Sequence, residues 1–144
     1  MKRKGIHVEV TTLLIPDLND DPDEIRALCR FLVENLGPDT PLHISRFFPH
    51  YKSEFKPPTP IKTRLMARDI AVNEGVKFVY VGNVPGSDYE NTFCPSCGKV
   101  LVERVGYDIT GWFLTEDMRC KYCGEKIPIV GKYERRGRWR ILGF

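Results

Sequence analysis

The amino-acid sequence predicts an α/β fold: three parallel strands joined by two crossover helices, followed by a small cysteine-containing module. Three apolar runs separated by two amphipathic stretches give the order strand, helix, strand, helix, strand. Such units form a parallel sheet with right-handed crossovers. Beyond this part the chain changes to Cys-x-x-Cys turns and short strand-like runs, 100–105 (VLVERV) after the first cysteine pair and 126–130 (KIPIV) after the second. We therefore predict two units, residues 1–86 and 87–144.

The first two predicted strands each carry one polar face. Residues 6–15 (IHVEVTTLLI) alternate and then become apolar, residues 41–49 (PLHISRFFP) follow, and residues 76–83 (VKFVYVGN) form the third strand. The polar residues of the first two strands would line the interior of a βα barrel, where they could hold a ligand, or would face solvent in an open sheet. The pattern leaves both interpretations open.

The first helix has clear start and stop signals. Asp21 can cap its N-terminus, Pro22 suits the first helical position, and Gly37 ends it. Cys29 falls on the apolar stripe of this helix, so we expect a buried, structural thiol. Thr59 and Pro60 are predicted to open the second helix, which ends near Gly75.

Composition narrows the class of protein. The chain has 144 residues, of which 42% are hydrophobic and 28% charged, which is typical of a globular protein. No apolar run reaches the roughly 18 residues of a membrane span. No apolar segment follows the basic N-terminus, so we expect no signal peptide and a cytoplasmic location.

Four cysteines have the spacing of a metal site. They are arranged as Cys94-x₂-Cys97-x₂₂-Cys120-x₂-Cys123, and a glycine follows the second cysteine of each pair. Two such turns make a closed tetrahedral site, which predicts structural zinc in a zinc-ribbon-like module. A single iron in a rubredoxin-like site is the alternative. Catalytic zinc is not expected, because four thiolates leave no open position.

The C-terminal segment is basic. Residues 132–140 (KYERRGRWR) alternate arginine and lysine with aromatic residues, which could bind nucleic acid through phosphate contacts and stacking. The same pattern is typical of the solvated face of a terminal strand. Binding to nucleic acid is therefore the less favoured interpretation, although it is not excluded.

Four stretches resemble a known family. They are VEVTTLLIPDLNDDPDEIRALCRFL, PLHISRFFPHYK, PPTPIKTRLMARDIAVNEGVKFVYVGNVPG and its continuation GNVPGSDYENTFCPSCGK. The first three resemble the C-terminal half of radical S-adenosylmethionine (SAM) enzymes of the pyruvate formate-lyase activating type. The continuation looks like the tail of the AmmeMemoRadiSam-system radical SAM protein, a branch with Cys-x-x-Cys pairs after the barrel. The resemblance covers nearly the whole chain.

The resemblance implies that the chain is the C-terminal part of a partial βα barrel followed by a zinc ribbon. The residues that would border the SAM or substrate cavity are Glu9, Thr11, Ser45, Phe47 and His50. The match has two departures: activating enzymes tend to place an arginine where Thr11 stands, and His50 is one residue out of phase with the family's histidine.

The cluster-binding motif of the family is missing from this sequence. Family members hold a [4Fe–4S] cluster through Cys-x₃-Cys-x₂-Cys, and this sequence has no such triplet. SAM and [4Fe–4S] are therefore expected only in an intact family enzyme, and this chain alone is expected to be inactive.

Two functional hypotheses follow. In the first, the chain is a radical SAM C-terminal fragment that self-associates or pairs with the missing N-terminal barrel half, and its ribbon contacts a protein substrate. In the second, it is an independent zinc-ribbon module that binds nucleic acid or a protein partner.

Overall fold

The computed structural model describes residues 4–53, 56–82, 84, 88–106, 108–131 and 133. The first sheet contains β1 (Val10–Leu14), β2 (Leu42–Arg46) and β3 (Val79–Val81). Two helices join them, α1 (Pro22–Leu36) and α2 (Ile61–Asn73). The second sheet contains β4 (Thr92–Phe93), β5 (Val100–Val105) and β6 (Asp108–Trp112). Short 3₁₀ turns lie at Tyr51–Ser53 and Asp88–Glu90.

The first sheet confirms the predicted parallel arrangement of three strands and two helices. Its order is β1-β2-β3, with Val10 paired to Leu42 and Leu42 paired to Val79. Its first strand is shorter than predicted, because the next pairing position toward the N-terminus falls at Pro41, which has no N–H to donate. The described strands form an open sheet, so the barrel remains a prediction.

The main hydrophobic core lies between this sheet and the two helices. Leu14, Leu42, Ile44 and Val81 point from the strands into it. Cys29 of α1 lies in the same core with no exposed surface, as predicted. Both helices therefore cover one face of the sheet, and the residues that alternate with the core positions lie on the opposite face.

The predicted N-terminal cap of α1 is confirmed. The Asp21 carboxylate accepts hydrogen bonds from the backbone N–H groups of Asp23, at 2.8 Å, and Glu24, at 3.2 Å. Gly37 ends the helix with a φ of 88°, in the left-handed region that glycine adopts readily. The boundaries of α1 therefore follow directly from its sequence signals.

Replacing the cap tests its contribution. Asp21→Ala should lower the free energy of unfolding by about 1 kcal/mol, because two helix N–H groups lose their acceptor. Urea denaturation followed by circular dichroism measures this. Asp69→Ala is the control: Asp69 is exposed and, among the described residues, pairs with its neighbour Arg68, so it should change stability by less than about 0.5 kcal/mol. Equal effects of the two variants would contradict the capping role.

Thr59 does not act as the side-chain cap of α2. Its hydroxyl donates to the Leu14 carbonyl at 2.5 Å and accepts from the Phe47 N–H at 2.9 Å. The residue before α2 is Pro60, and no side chain of the described residues caps the helix. Thr59 instead ties the ends of β1 and β2 together at the carboxyl edge of the sheet.

The second sheet is antiparallel, in the order β4-β5-β6. The predicted strand after the first Cys pair is confirmed as β5, whereas its hairpin partner β6 was not predicted. The strand-like run predicted at 126–130 is wrong, since only an isolated bridge between Arg119 and Lys126 forms there. The run carries Pro128, and a proline cannot donate to a sheet ladder.

A second hydrophobic core lies beneath the cysteine turns. It contains Leu101, Val102, Leu114 and Ile127 together with Phe78, which immediately precedes β3. The small sheet therefore packs directly on the third strand of the first sheet. Within the described ranges, no helix has the length and apolar character needed to cross a membrane.

Candidate metal centre and the polar sheet face

The first cysteine turn is closed by two backbone hydrogen bonds. The Cys94 N–H donates to the Lys99 carbonyl at 2.8 Å, and the Gly98 N–H donates to the Cys94 carbonyl at 2.9 Å. Gly98 has a φ of 71°. A side chain at that position would strain the backbone, which explains why glycine follows the Cys-x-x-Cys.

The second turn repeats this geometry. The Cys120 N–H donates to the Glu125 carbonyl at 2.8 Å, and the Gly124 N–H donates to the Cys120 carbonyl at 2.9 Å. Gly124 has a φ of 79°. Each turn therefore holds its two thiols in the same local arrangement.

The four sulfur atoms converge between the two turns. The distance is 3.6 Å from Cys94 Sγ to Cys123 Sγ and 3.8 Å from Cys97 Sγ to Cys120 Sγ, and all four sulfurs lie within 4.8 Å of one another. A tetrahedral zinc with Zn–S bonds of about 2.3 Å separates its ligands by about 3.8 Å. The predicted quartet is thus brought together, and it could hold a metal ion such as zinc.

The sulfurs lie in unequal environments. Burial raises the pKa of the Cys94 thiol to about 12, although the backbone N–H groups of Cys97 and Ser96 oppose this effect. Burial also acts to raise the pKa of Cys120, but the N–H groups of Cys123 and Tyr122 prevail and lower it to about 7. A cation among these sulfurs would favour all four thiolates and release their protons.

A separate polar cluster lies on the sheet face opposite the helices. The Glu9 carboxylate lies 2.9 Å from His7 Nε2 and 2.8 Å from His43 Nε2, one histidine at each oxygen. The hydrogen bond from His7 is the main cause that lowers the Glu9 pKa, and His43 adds to it against the opposing effect of burial. The predicted cavity residue Glu9 is thus held by two imidazoles.

This polar cluster continues into the small sheet. The His43 ring stacks on Tyr80 with 5.0 Å between centroids, and the Tyr80 hydroxyl lies 3.0 Å from Thr92 Oγ1. Arg104 donates to the same Thr92 oxygen at 2.7 Å. Sequence reasoning assigned no role to Tyr80 or Arg104. The alternation of β3 could have placed Tyr80 on this face, whereas nothing in the sequence indicates the contact of Arg104.

The other predicted cavity residues are divided. Thr11 is exposed and Ser45 is partly buried on the same face as His43. Phe47 is buried beyond the end of β2, where its backbone bonds with Thr59. His50 is exposed beyond the end of β2, and the described histidines that pair with Glu9 are His7 and His43. The structure therefore groups Glu9, Thr11 and Ser45 on one face but leaves His50 apart.

A half-open cavity of the first unit lies on the helix side of the sheet. This cavity of about 140 Å³ is lined mainly by apolar residues, among them Leu14, Ile25 and Ile44. None of the five predicted cavity residues lines it. Because its lining is mainly apolar, the polar face is the better candidate for contact with a polar ligand.

The Glu9 titration is a direct test of this cluster. The carboxyl carbon of Glu9, followed by ¹³C NMR, should titrate with a midpoint below 4.5, the ordinary value. Because the folded-state pKa is lowered, the stability contributed by Glu9 is present above pH 4.5 and is lost as the pH falls through the lowered midpoint. Replacing His7 and His43 with glutamine should raise the midpoint. His50→Gln should leave it unchanged, and an equal shift in both cases would refute the assignment.

Two sequence predictions fall largely outside the described residues. Of the basic segment 132–140, only Tyr133 is described, and its ring stacks on Trp112 with 4.7 Å between centroids. The predicted boundary between units at residues 86 and 87 also lies in a part that the structure does not describe.

Comparison with known proteins gives one relative of substantial identity. An uncharacterized protein of Methanocaldococcus jannaschii is 52% identical to this chain over 130 residues. The match covers 90% of this chain but 39% of the relative. The chain thus spans well under half the length of that relative. No protein-family model matches the chain, and no solved structure matches it.

Proposed function

We propose that this chain is the C-terminal part of a radical SAM protein of the AmmeMemoRadiSam and pyruvate formate-lyase activating type. In this proposal it contributes part of the SAM or substrate cavity and a structural Cys₄ zinc site. The observation that carries the proposal is the parallel sheet whose helices cover one face while polar side chains occupy the other.

That arrangement is what an arc of a βα barrel requires. In such a barrel the helices form the outer layer, and the opposite strand face lines the interior. Here the sheet face opposite the helices, which would line the barrel interior, bears four polar residues suited to contact a ligand: Glu9, Thr11, His43 and Ser45. His43 and Tyr80 extend this face toward the small sheet.

The length of the relative agrees with this proposal. More than half of the M. jannaschii protein lies outside the match, which is enough chain to provide further barrel strands and a cluster-binding loop. The proposal predicts a Cys-x₃-Cys-x₂-Cys motif in that unmatched part. Absence of such a motif from the relative would count directly against the proposal.

The residues of this chain do not fit a [4Fe–4S] cluster in addition to the Cys₄ site. Once the quartet is assigned, the only remaining cysteine is Cys29. It is fully buried in the core, and burial raises its thiol pKa, which disfavours the thiolate needed for ligation. We therefore assign no step of SAM cleavage to this chain.

Zinc is the metal proposed for the quartet, with a single rubredoxin-like iron as the alternative. Four thiolates above a small antiparallel sheet make a closed structural site, which zinc occupies without redox chemistry. The two metals differ visibly: the purified protein should be colourless with zinc and red with iron.

The open sheet also implies a partner. Within the described residues β1 pairs on one side only, with β2. Leu13 of β1, on the sheet face opposite the helices, is 44% exposed. Unpaired strand edges favour association. We therefore propose that this chain self-associates or pairs with the N-terminal barrel half. A monodisperse monomer in analytical sedimentation would contradict self-association.

The second hypothesis, an independent zinc ribbon, has less support. Phe78 belongs to the first unit by sequence but packs in the core of the ribbon. A ribbon that shares its core in this way is better suited to be a fixed accessory of the sheet than a free binding module. Salt-sensitive binding of RNA or DNA would favour the alternative.

The decisive assay is SAM cleavage after anaerobic iron–sulfur reconstitution. The full-length M. jannaschii relative should produce 5′-deoxyadenosine from SAM and reductant, whereas this chain alone should produce none. Production by this chain alone, or none by a relative that has taken up its cluster, would overturn the proposal.

A further inference from the structure

Two arginine side chains meet at the carboxyl edge of the parallel sheet. Arg46 is the last residue of β2 and lies on the same side of the strand as the buried residues Leu42 and Ile44. Arg64 lies one turn before the buried Ala67 on the sheet-facing side of α2, and it is 2% exposed. Because α2 follows β2, its first turns lie at this same edge.

Arg46 is held in place but incompletely paired. Its guanidinium lies over the Phe48 ring, with 4.3 Å between Cζ and the ring centroid. Its Nε is buried and has no hydrogen-bond partner among the described residues. It forms no ion pair with any described carboxylate. A buried guanidinium donor without an acceptor is unfavourable and calls for an explanation.

Among the described residues, a second guanidinium, that of Arg64, lies near Arg46. Arg64 donates from Nη1 to the Gly82 carbonyl at 2.7 Å, which fixes its side chain at the end of β3. Burial, together with the nearby charge of Arg46, lowers the pKa of Arg64. The N-terminus of α2 adds partial positive charge at the same edge, and no described side chain caps it.

We propose that Arg46 and Arg64 form a binding site for the oxyanion group of a small ligand, a phosphate or a carboxylate, at the carboxyl edge of the sheet. An oxyanion would accept from the Arg46 Nε, which has no acceptor among the described residues, and would offset the repulsion between the two guanidinium groups. Arginine is suited to this role because its planar fork matches both anions bidentately. Ligands in open α/β sheets bind at this edge of the strands. The site does not depend on the radical SAM proposal.

The test is binding of inorganic phosphate and of acetate to the zinc-loaded 144-residue chain, measured at matched ionic strength against sodium chloride. At least one of the two should raise the melting temperature beyond the effect of chloride. Stronger binding of phosphate would identify a phosphate ligand, and stronger binding of acetate a carboxylate ligand. No stabilisation beyond that of chloride by either anion would overturn the proposal.

Two variants distinguish anion binding at this site from the general effect of removing one positive charge. Arg46→Gln should weaken anion binding roughly 10-fold or more, the loss expected for a charge-assisted hydrogen bond. Arg30→Gln is the matched control, because Arg30 is an exposed arginine of α1 that pairs with Glu74, and it should leave binding unchanged. Equal affinities of the two variants would refute the site.

A second measurement covers the case in which Arg46→Gln does not fold. In the unsubstituted protein, ¹⁵N NMR should show the Nε resonances of Arg46 and Arg64 shifting as the anion is added, while that of Arg30 stays fixed. Saturating anion that leaves the Arg46 and Arg64 resonances in place would overturn the proposal.

Discussion

Removing the metal should unfold the small sheet, β4 to β6, while α1 and α2 stay folded. The core of this sheet holds few large apolar residues, and units of this size usually need a metal or disulfide to fold. A structural zinc supplies apparent binding free energy of about 10–16 kcal/mol in small zinc domains. The helices depend on a separate core, composed mainly of residues from the first sheet and its helices.

Chelation followed by two spectroscopic measurements tests this expectation. Amide NMR signals of β5 and β6 should lose their dispersion, whereas helical circular dichroism should largely remain. Cys97→Ser should mimic chelation, because it removes an exposed ligand without opening a cavity in the core. Cys29→Ala is the control, since it should retain one metal per chain. A metal-free protein with the full set of dispersed β5 and β6 signals would contradict a structural role.

Truncating Phe78 should destabilise the small sheet and loosen its attachment to β3. Phe78 is 5% exposed and packs with Leu101 and Ile127 in the second core. Truncation of a buried aromatic ring leaves a cavity, so Phe78→Ala should lower the free energy of unfolding by about 3–5 kcal/mol. The variant should also lose its metal to a chelator faster than the unsubstituted protein does.

Phe31→Ala is the matched control for this substitution. Phe31 lies on α1 and is 62% exposed. Its truncation should change stability by less than about 0.5 kcal/mol and leave metal release unaltered. Thermal unfolding and chelator kinetics measure both variants together. Similar losses at the two positions would show that Phe78 does not join the two sheets.

The sequence predicted those parts of the fold whose signals are local. Asp21 and Gly37 mark the ends of α1 because capping depends on a few neighbouring residues. The cysteine turns were equally predictable, because two ligands three positions apart and a glycine define a knuckle by themselves. The sequence also predicted that the two cysteine turns meet, because a tetrahedral metal site needs two ligands from each turn.

Contacts between distant segments were not predictable in the same way. The hydroxyl of Thr59 bonds across the sheet to Leu14, although its position before Pro60 is typical of a helix cap. Arg104 donates to Thr92 on the neighbouring strand β4, and a register shift in the β5–β6 pairing lies directly before Arg104. Such contacts depend on how the two sheets pack, and no short sequence pattern encodes that packing.

The residues predicted to border the cavity also divide into those that a local pattern placed and those that it did not. Alternation placed Glu9, Thr11 and Ser45 on one face, since strand periodicity is local. His50 was included by resemblance alone, and it lies exposed beyond the end of β2. Alternation along β3 indicates the face of Tyr80, but its contact with His43 depends on the register of β3 against β2.

Metal analysis after anaerobic iron–sulfur reconstitution tests whether this chain is the cluster-free C-terminal part of a radical SAM protein. This chain and the full-length M. jannaschii relative should be treated side by side and their zinc and iron counted per polypeptide. We expect one zinc in each protein and four irons in the relative alone. A four-iron cluster in this chain, or none in the relative, would contradict it.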